Sequence, residues 1–595
     1  MASLVFVSSL LPRNHREWLL LGVLVTLVVT PAFLLARRAA AASVPNASLA
    51  IKVDQAGYPL HGPKVAMVAI TQFAKDFRVR RSVDNKVVLK GKLGKAAPDA
   101  NTGDVIQAAD FSQLSQPGTY YIEVPGVGRS WDFAVEQNVY EPAYKLAMLG
   151  FYGQRCGTAV DLGPEFPGYK HPACHLHGEF HPSSGLTGTR DNIGGWHDAG
   201  DYGRYVVNSG ISTATLLWAW ELFPAHLKDI RLHIPESGNG TPDLLNEARW
   251  NLEWVLKMQD VDGGAWQKQT STSFPGFVSP EKDDTVSEII GTGSAPYKST
   301  AATADLAALM AVAARVYRPY DAAFAARALD AARRAWAWTE RNPDVVFANP
   351  AGVSTGEYGD KNCADERLWA AAELWRTTGE AAYNTYFVAH YAPFLETLDS
   401  PPSEDWAQVA PMGLWSYALA NRPGSDPKAV QAIRARAVSA AHAIVERTRS
   451  NAYHSSMKTT DYVWGSNGLA ANYGKFLLIA NELARDPAFV DAARDNLHYL
   501  LGRNTFSLSW VTQLGQNAYQ HPHHRPSGSG EQPGPWPGLL SGGPNAGRQD
   551  PALAALPKDL PPAKVYVDQL ASYASNEIAI NWQAALVFLL TGELH

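Results

Sequence analysis

The chain has 595 residues, more than one ordinary hydrophobic core uses, so two or more domains are expected. Its net charge of −6 is spread without long single-sign blocks, which argues against nucleic acid or an acidic polymer as partner. Three cysteines are too few for a disulfide framework; 18 tryptophans exceed what cores usually need, and stacking on sugar rings is one use for those the core does not take.

In chain order, Trp18–Ala36 is an apolar run of about one membrane thickness, with Arg13 and Arg16 before it and Arg37 and Arg38 after it. Small residues follow at Ala39–Ser43, as a signal peptidase accepts. Residues 1–42 therefore read as a cleaved signal or as an uncleaved single-pass anchor through 18–36, with a buried core helix the third choice. Either main reading exports the remainder, to the periplasm or the medium, and leaves this segment as the chain's membrane contact.

From residue 43 to 137 the texture is strand-like. Ile51-Lys52-Val53, Val65–Ile70, Phe77–Val79, Val87–Leu89 and Tyr120–Val124 alternate between Gly and Pro turns, which predicts a small β-sandwich. No acid pair or histidine cluster occurs there, so its expected role is support or interaction.

From 138 to 595 long amphipathic runs rich in Ala and Leu take over. Helices are predicted at Glu141–Cys156, Tyr205–Phe223, Pro242–Met258, Ala301–Tyr317, Ala322–Asn342, Asp365–Thr377, Glu380–Thr397, Glu404–Ala420, Pro427–Ser450, Ser466–Ala484, Pro487–Leu501 and Tyr573–Leu590. Thr241-Pro242 is a start signal, a cap followed by Pro. About a dozen helices joined by long loops make a mainly α fold that suits a closed double ring. No fixed-length repeat supports a solenoid instead. The loops 156–201, 262–299 and 504–563 hold most of the unusual residues, and loops of that length usually carry function.

The densest chemistry lies in Asp191–Asn208. Asp198 and Asp201 stand three residues apart among glycines, flanked by Trp196 and Tyr202, a composition that suits carboxylates meeting a sugar ring. Cys156, Cys174, His175 and His197 form a Cys₂His₂ set whose last member directly precedes Asp198. Four such ligands suit a closed, structural zinc site. A Cys156–Cys174 disulfide is the alternative, and His171 and His177 are further candidate ligands. Glu236, Asn239 and Asp243, spaced by glycines, offer oxygens to calcium, as do Asp365 and Glu366 after Asp360. Asp243 equally suits a helix first turn.

Farther on, Asp568–Asn581 places Glu577 near Tyr573 and Asn576 on an apolar helix. Flanking Ile578 and Ile580 would desolvate its carboxyl and suit it to general acid work, although an ordinary solvent-facing Glu also fits. Ser509–Ser527 sets His521, His523, His524 and Arg525 on a Pro-bounded loop able to hold sugar hydroxyls, and Gly538–Asn545 continues the same irregular rim.

Together these motifs resemble glycoside hydrolase family 9, the cellulase family with an (α/α)₆ barrel, in its subgroup with an amino-terminal immunoglobulin-like domain. Ile51–Tyr58 is similar to the opening of that domain. Gly194–Tyr202 resembles the catalytic-base motif, Gly515–Arg525 the histidine signature and Asp568–Asn581 the glutamate signature. The resemblance spans residues 51–592 in family order. It implies structural zinc on Cys156, Cys174, His175 and His197, and calcium at Glu236, Asn239 and Asp243 and at Asp365 and Glu366. It further implies an inverting endo-β-1,4-glucanase in which Glu577 is the acid and Asp201 the base, with Asp198 gripping the water. His523, Arg525, Tyr573 and Trp464 would hold the sugar, Trp464 having a core role as its alternative. Such an enzyme is expected to act as a monomer on cellulose or a related β-glucan. An exo-acting glycosidase on cello- or glucosamine oligosaccharides, a zinc-dependent hydrolase and a non-catalytic carbohydrate-binding protein are the competing readings.

Overall fold

The structure, a computed structural model, describes residues 47–70 and 74–594. The apolar run at 18–36 lies outside the described residues.

Ten short strands form the first layer pair. One sheet has the order β1 (Ile51–Lys52), β3 (Val65–Ala69), β7 (Val105–Asp110), β6 (Ala97–Pro98). The other runs β2 (Tyr58–Pro59), β10 (Phe133–Glu136), β8 (Gly118–Val124), β4 (Asp76–Arg81), β5 (Val87–Lys92), with β9 (Gly128–Arg129) on β8. Alternate residues point inward, so Ile51, Val53, Tyr58, Ala66, Val68, Phe77, Val79, Ile122 and Val135 make one apolar core between the sheets. Phe111 and Phe133 close on the edge of Tyr58 at 5.0 and 5.2 Å.

Twelve helices of ten or more residues follow among the described residues. They are α1 (Glu141–Gly153), α2 (Val206–Leu222), α3 (Asp243–Lys257), α4 (Thr300–Tyr317), α5 (Ala322–Arg341), α6 (Ala364–Thr378), α7 (Ala381–His390), α8 (Ala410–Leu419), α9 (Pro427–Ser450), α10 (Ser466–Leu483), α11 (Pro487–Leu500) and α12 (Ile580–Gly592). The even-numbered six pack each on the next, and α12 returns to α2, which closes an inner ring. Burial explains the sorting. Helix α4 is buried along every position but Arg315, whereas α5 buries one stripe, through Phe324, Ala328, Ala335 and Trp338, and leaves the other face to solvent. This is an (α/α)₆ barrel.

Three predicted helices are shortened or broken. Glu380–Thr397 is α-helical only over Ala381–His390, and Ala392–Leu398 follows as a 3₁₀ helix. The Glu404–Ala420 helix begins only at Ala410, and its Pro411 stands in the first turn, where a missing N–H costs nothing. More consequential, Tyr573–Leu590 is not continuous. A single turn spans Tyr573–Asn576, then Glu577 is extended at φ −63° and ψ 154°, and α12 starts at Ile580. At the predicted Thr241 cap, the boundary residue is Pro242 and no side chain caps α3.

The sandwich braces the barrel through two segments. Gln55 Nε2 donates to Ser507 O (3.0 Å), while Gln55 Oε1 accepts from the backbone of Gln516 and Asn517. The loop Asp99–Asp104 reaches the opposite connection: Ala563 N donates to Asn101 O, and Lys564 Nζ meets Asp104 Oδ1 at 2.6 Å. The first loop leads toward His523 and the second toward Glu577.

Candidate active site

The turn carrying Asp198 and Asp201 is held by hydrogen bonds to its backbone carbonyls. Gln154, just past α1, donates through Nε2 to His197 O and Ala199 O, and its Oε1 meets His524 Nε2 at 2.9 Å. Arg204 donates to Asn192 O and Gly194 O, which fixes the glycines that open the turn. Gly200 leaves no room for a side chain: a Cβ there would stand 1.9 Å from His523 O. That close approach lets Arg525 N donate to Gly200 O at 2.9 Å, so the acidic turn and the histidine loop form one piece.

The carboxylates are dressed differently. Asp198 is buried, Oδ1 accepting from Asn208 Nδ2 (2.6 Å) and Oδ2 from Tyr358 Oη (2.6 Å). Burial lifts it to about 7; the two donors pull the other way, and Asp201 adds repulsion. Asp201 accepts a long 3.3 Å contact from Gly203 N, with no side-chain donor among the described residues. Glu577 arrives from the far end of the chain, its backbone paired with His523 and its carbonyl accepting from Gly542 N at 2.7 Å. Ile580 N donates to Asp198 O (2.9 Å), which ties the start of α12 to the same turn. Burial raises the Glu577 carboxyl to about 8, and the charges of Asp201 and Asp198 push it the same way against Arg525.

The four sugar-binding candidates gather beside these acids. His523 Nδ1 donates to Leu570 O at 2.7 Å, which fixes the ring and makes Nε2 its acceptor nitrogen. Arg525 Nε donates to Pro275 O at 2.9 Å. Tyr573 lies 6.0 Å from the His523 ring and 5.6 Å from Trp464, and Trp464 is 39% exposed, which removes its core alternative.

Several expectations are corrected. Trp196 and Tyr202 are not walls of the cleft. Trp196 is fully buried, its indole donating to Glu247, and the Tyr202 ring packs on His175 and His197 with its hydroxyl donating to Val278 O. Glu577 is not on a helix, as noted. Gly538–Asn545 is buried rather than a rim, with Gly543 N donating to Ser575 O. Asn208, Tyr358 and Gln154 escaped the sequence reading, because a lone amide or phenol carries no spacing signal.

Cys156, Cys174, His175 and His197 converge, their ligand atoms all within 4.8 Å of one another. Both thiols are unbonded, which removes the disulfide alternative. His175 Nδ1 is buried without a partner while Nε2 meets Asp283 at 3.1 Å, the arrangement in which a carboxylate orients a metal-bound imidazole. The donor set fits zinc. Asp360, Asp365 and Glu366 also converge, and Asp305 on α4 faces them electrostatically. Both oxygens of Asp305 and Glu366, with Asp365 Oδ1 and Asp360 Oδ2, are buried with no donor. Such a set fits a hard divalent cation. At the other calcium candidate most oxygens are taken by protein partners, although Asp243 Oδ1 is buried without a donor. Glu236 is paired with Arg155 (2.9 and 3.1 Å), Asn239 with the Asn246 amide, and Asp243 Oδ2 accepts from Leu232 N and Ser237 Oγ.

Comparison with known proteins agrees with this geometry. Residues 140–590 match the model of glycosyl hydrolase family 9, and residues 46–129 that of the cellulase N-terminal ig-like domain. The chain is 39% identical over 546 residues to endoglucanase D of Acetivibrio thermocellus, covering 91% of this chain and 83% of that protein. It is 34% identical over 581 residues to the xyloglucan-specific endo-beta-1,4-glucanase BoGH9A of Bacteroides ovatus, covering 92% and 95%. The crystal structure of the GH family 9 endoglucanase J30 superposes with a TM-score of 0.84 at 34% identity, covering 90% of this chain and 99% of that one. The chain therefore belongs to glycosyl hydrolase family 9 and is a glycoside hydrolase with an amino-terminal immunoglobulin-like domain.

Proposed function

We propose that the chain is an inverting endo-β-1,4-glucanase acting on cellulose or related β-glucans, with Glu577 as general acid and Asp201 as general base. The observation that carries the reading is a carboxyl lifted to about 8, Glu577, set against the two-acid turn. At neutral pH Glu577 keeps its proton and can give it to the glycosidic oxygen as the C1–O bond breaks. Water then bonds to C1 from the opposite face and passes its proton to Asp201, with Asp198 holding that water. Inversion needs about 6.5–9.5 Å between acid and base to admit it. His523, Arg525, Tyr573 and Trp464 hold the sugar beside the cleaved bond. The endoglucanase names carried by relatives of similar length support the choice of substrate.

Zinc on Cys156, Cys174, His175 and His197 would supply a rigid clamp for the turn, since four protein ligands leave no position for substrate. Calcium on Asp360, Asp365 and Glu366 would neutralise a buried like-charge cluster. The protein acts as an exported monomer, and mass spectrometry of the mature amino terminus decides between a cleaved signal and an anchor through 18–36.

A reducing-end assay on a soluble cellulose derivative, with Glu577→Gln as control, tests the activity: release by the parent and its loss in the variant is the expected outcome. A rapid fall in viscosity marks endo attack, whereas steady release of short sugars at constant viscosity would favour exo action. Proton NMR of fresh product tests the stereochemistry, and a β-configured new end would contradict inversion.

A further inference from the structure

Four aromatic side chains are strongly exposed among the described residues: Phe274 (51%), Phe277 (36%), Tyr320 (37%) and Trp464 (39%). Three of them are linked by successive side-chain contacts through Tyr573, His523 and Arg525, and His523 is paired through its backbone with Glu577. Trp464 stands 5.6 Å from Tyr573, Tyr573 6.0 Å from His523, and His523 5.1 Å from Phe277. The Arg525 guanidinium then lies 5.4 Å from the Phe277 ring and 5.5 Å from that of Phe274.

The segment bearing the two phenylalanines is pinned throughout. Ser354 N donates to Thr272 O (2.7 Å), Arg525 Nε to Pro275 O (2.9 Å) and the Tyr202 hydroxyl to Val278 O. An exposed apolar ring on a mobile loop would fold inward; here three hydrogen bonds hold two rings against solvent. Large apolar surface kept open beside a catalytic cleft marks a binding surface. The flat apolar faces of pyranose rings match such rings, and the hydroxyls at the sugar edge match the guanidinium between them.

We propose that Phe274 and Phe277 form a substrate-binding platform that extends the cleft past His523 and Arg525 and grips additional glucosyl units of a long β-1,4-glucan chain. The proposal rests on the glucanase reading and adds to it a residue-level cause of preference for long chains. Arg525 has a double part: its side chain holds the platform and its backbone N–H holds the acidic turn at Gly200.

The test compares kcat/KM on cellohexaose with that on an aryl cellobioside, in the parent and in Phe274→Ala, Phe277→Ala and the double variant. The expected result is a ratio of long to short that falls about 10-fold for each ring removed, with Phe274→Trp keeping the parent ratio and Phe274→Leu losing it. Calorimetric titration of cellohexaose into Glu577→Gln, with and without Phe274→Ala, is expected to show about 10-fold weaker binding for the double variant. A ratio left unchanged by the double variant, or an equal fall on both substrates with a lowered Tm, would overturn the platform. A parent inactive on both substrates would instead strike the glucanase reading itself.

Discussion

Two buried clusters of carboxylates in the barrel are solved in opposite ways. Around Asp198, donors are built in: Asn208 and Tyr358 each reach it at 2.6 Å. Around Asp365 and Glu366 they are few: Val409 N reaches Asp365 Oδ2 at 2.8 Å, but one oxygen each of Asp365 and Asp360 and both of Glu366 and Asp305 are left without a donor. Buried like charges without donors cost several kcal/mol each or take up protons; burial and mutual repulsion accordingly lift Glu366 and Asp305 well above the carboxylate range and Asp365 to about 6. The first arrangement suits the proton exchange proposed for it, and the second fits a cation. One loop serves both, because Tyr358 and Asp360 are two residues apart.

This contrast is broken most severely in the catalytic cluster. Glu577→Gln keeps the shape and loses the proton, so turnover on soluble cellulose derivative should fall by about 10²–10⁴, with Tm held. In the second cluster the effect should reverse. Stripping divalent cations with a chelator should lower stability by about 2.7 kcal/mol relative to calcium at a hundred times its Kd, read as Tm by calorimetry. Glu366→Ala should erase that calcium response, and a Tm indifferent to both chelator and calcium would rule out the cation.

Tyr358→Phe tests the shared loop. It removes a charge-assisted hydrogen bond worth about 1.5 kcal/mol, so kcat should fall roughly tenfold while the calcium-dependent Tm shift persists. The smallest effect is in pH. Glu577 must be protonated, so kcat/KM should decline as pH rises through about 8. Asp198→Asn removes a negative charge that raises Glu577, so the residual activity's alkaline limb should move to lower pH. A limb that stays in place would mean that another group controls it.

Much of this was legible in the sequence where spacing is local. Cys174-His175 and His197-Asp198 announce their chemistry side by side, and twelve amphipathic runs announce a helical barrel. The misreadings have one origin. Trp196 beside the acids suggested a sugar wall, yet its indole is buried against Glu247, since sequence adjacency does not say which face of a turn meets solvent. Glu236, Asn239 and Asp243 had calcium-like spacing, but Arg155, 81 residues before Glu236, claims its carboxylate.

The sequence by itself determined the inventory: a sandwich, a ring of helices, a Cys₂His₂ set and three motif acids, all of which follow from patterns within a few turns of chain. Only the tertiary structure decided which of them act together. Closure of the inner ring brings Glu577 to Asp198 and Asp201 across nearly four hundred residues, and the resulting desolvation makes an ordinary glutamate an acid at neutral pH. The same closure supplied Tyr358 and Asn208 to one acidic cluster and no donor to the unpaired oxygens of the other. Those choices depend on burial and on partners distant in sequence, which no local pattern contains.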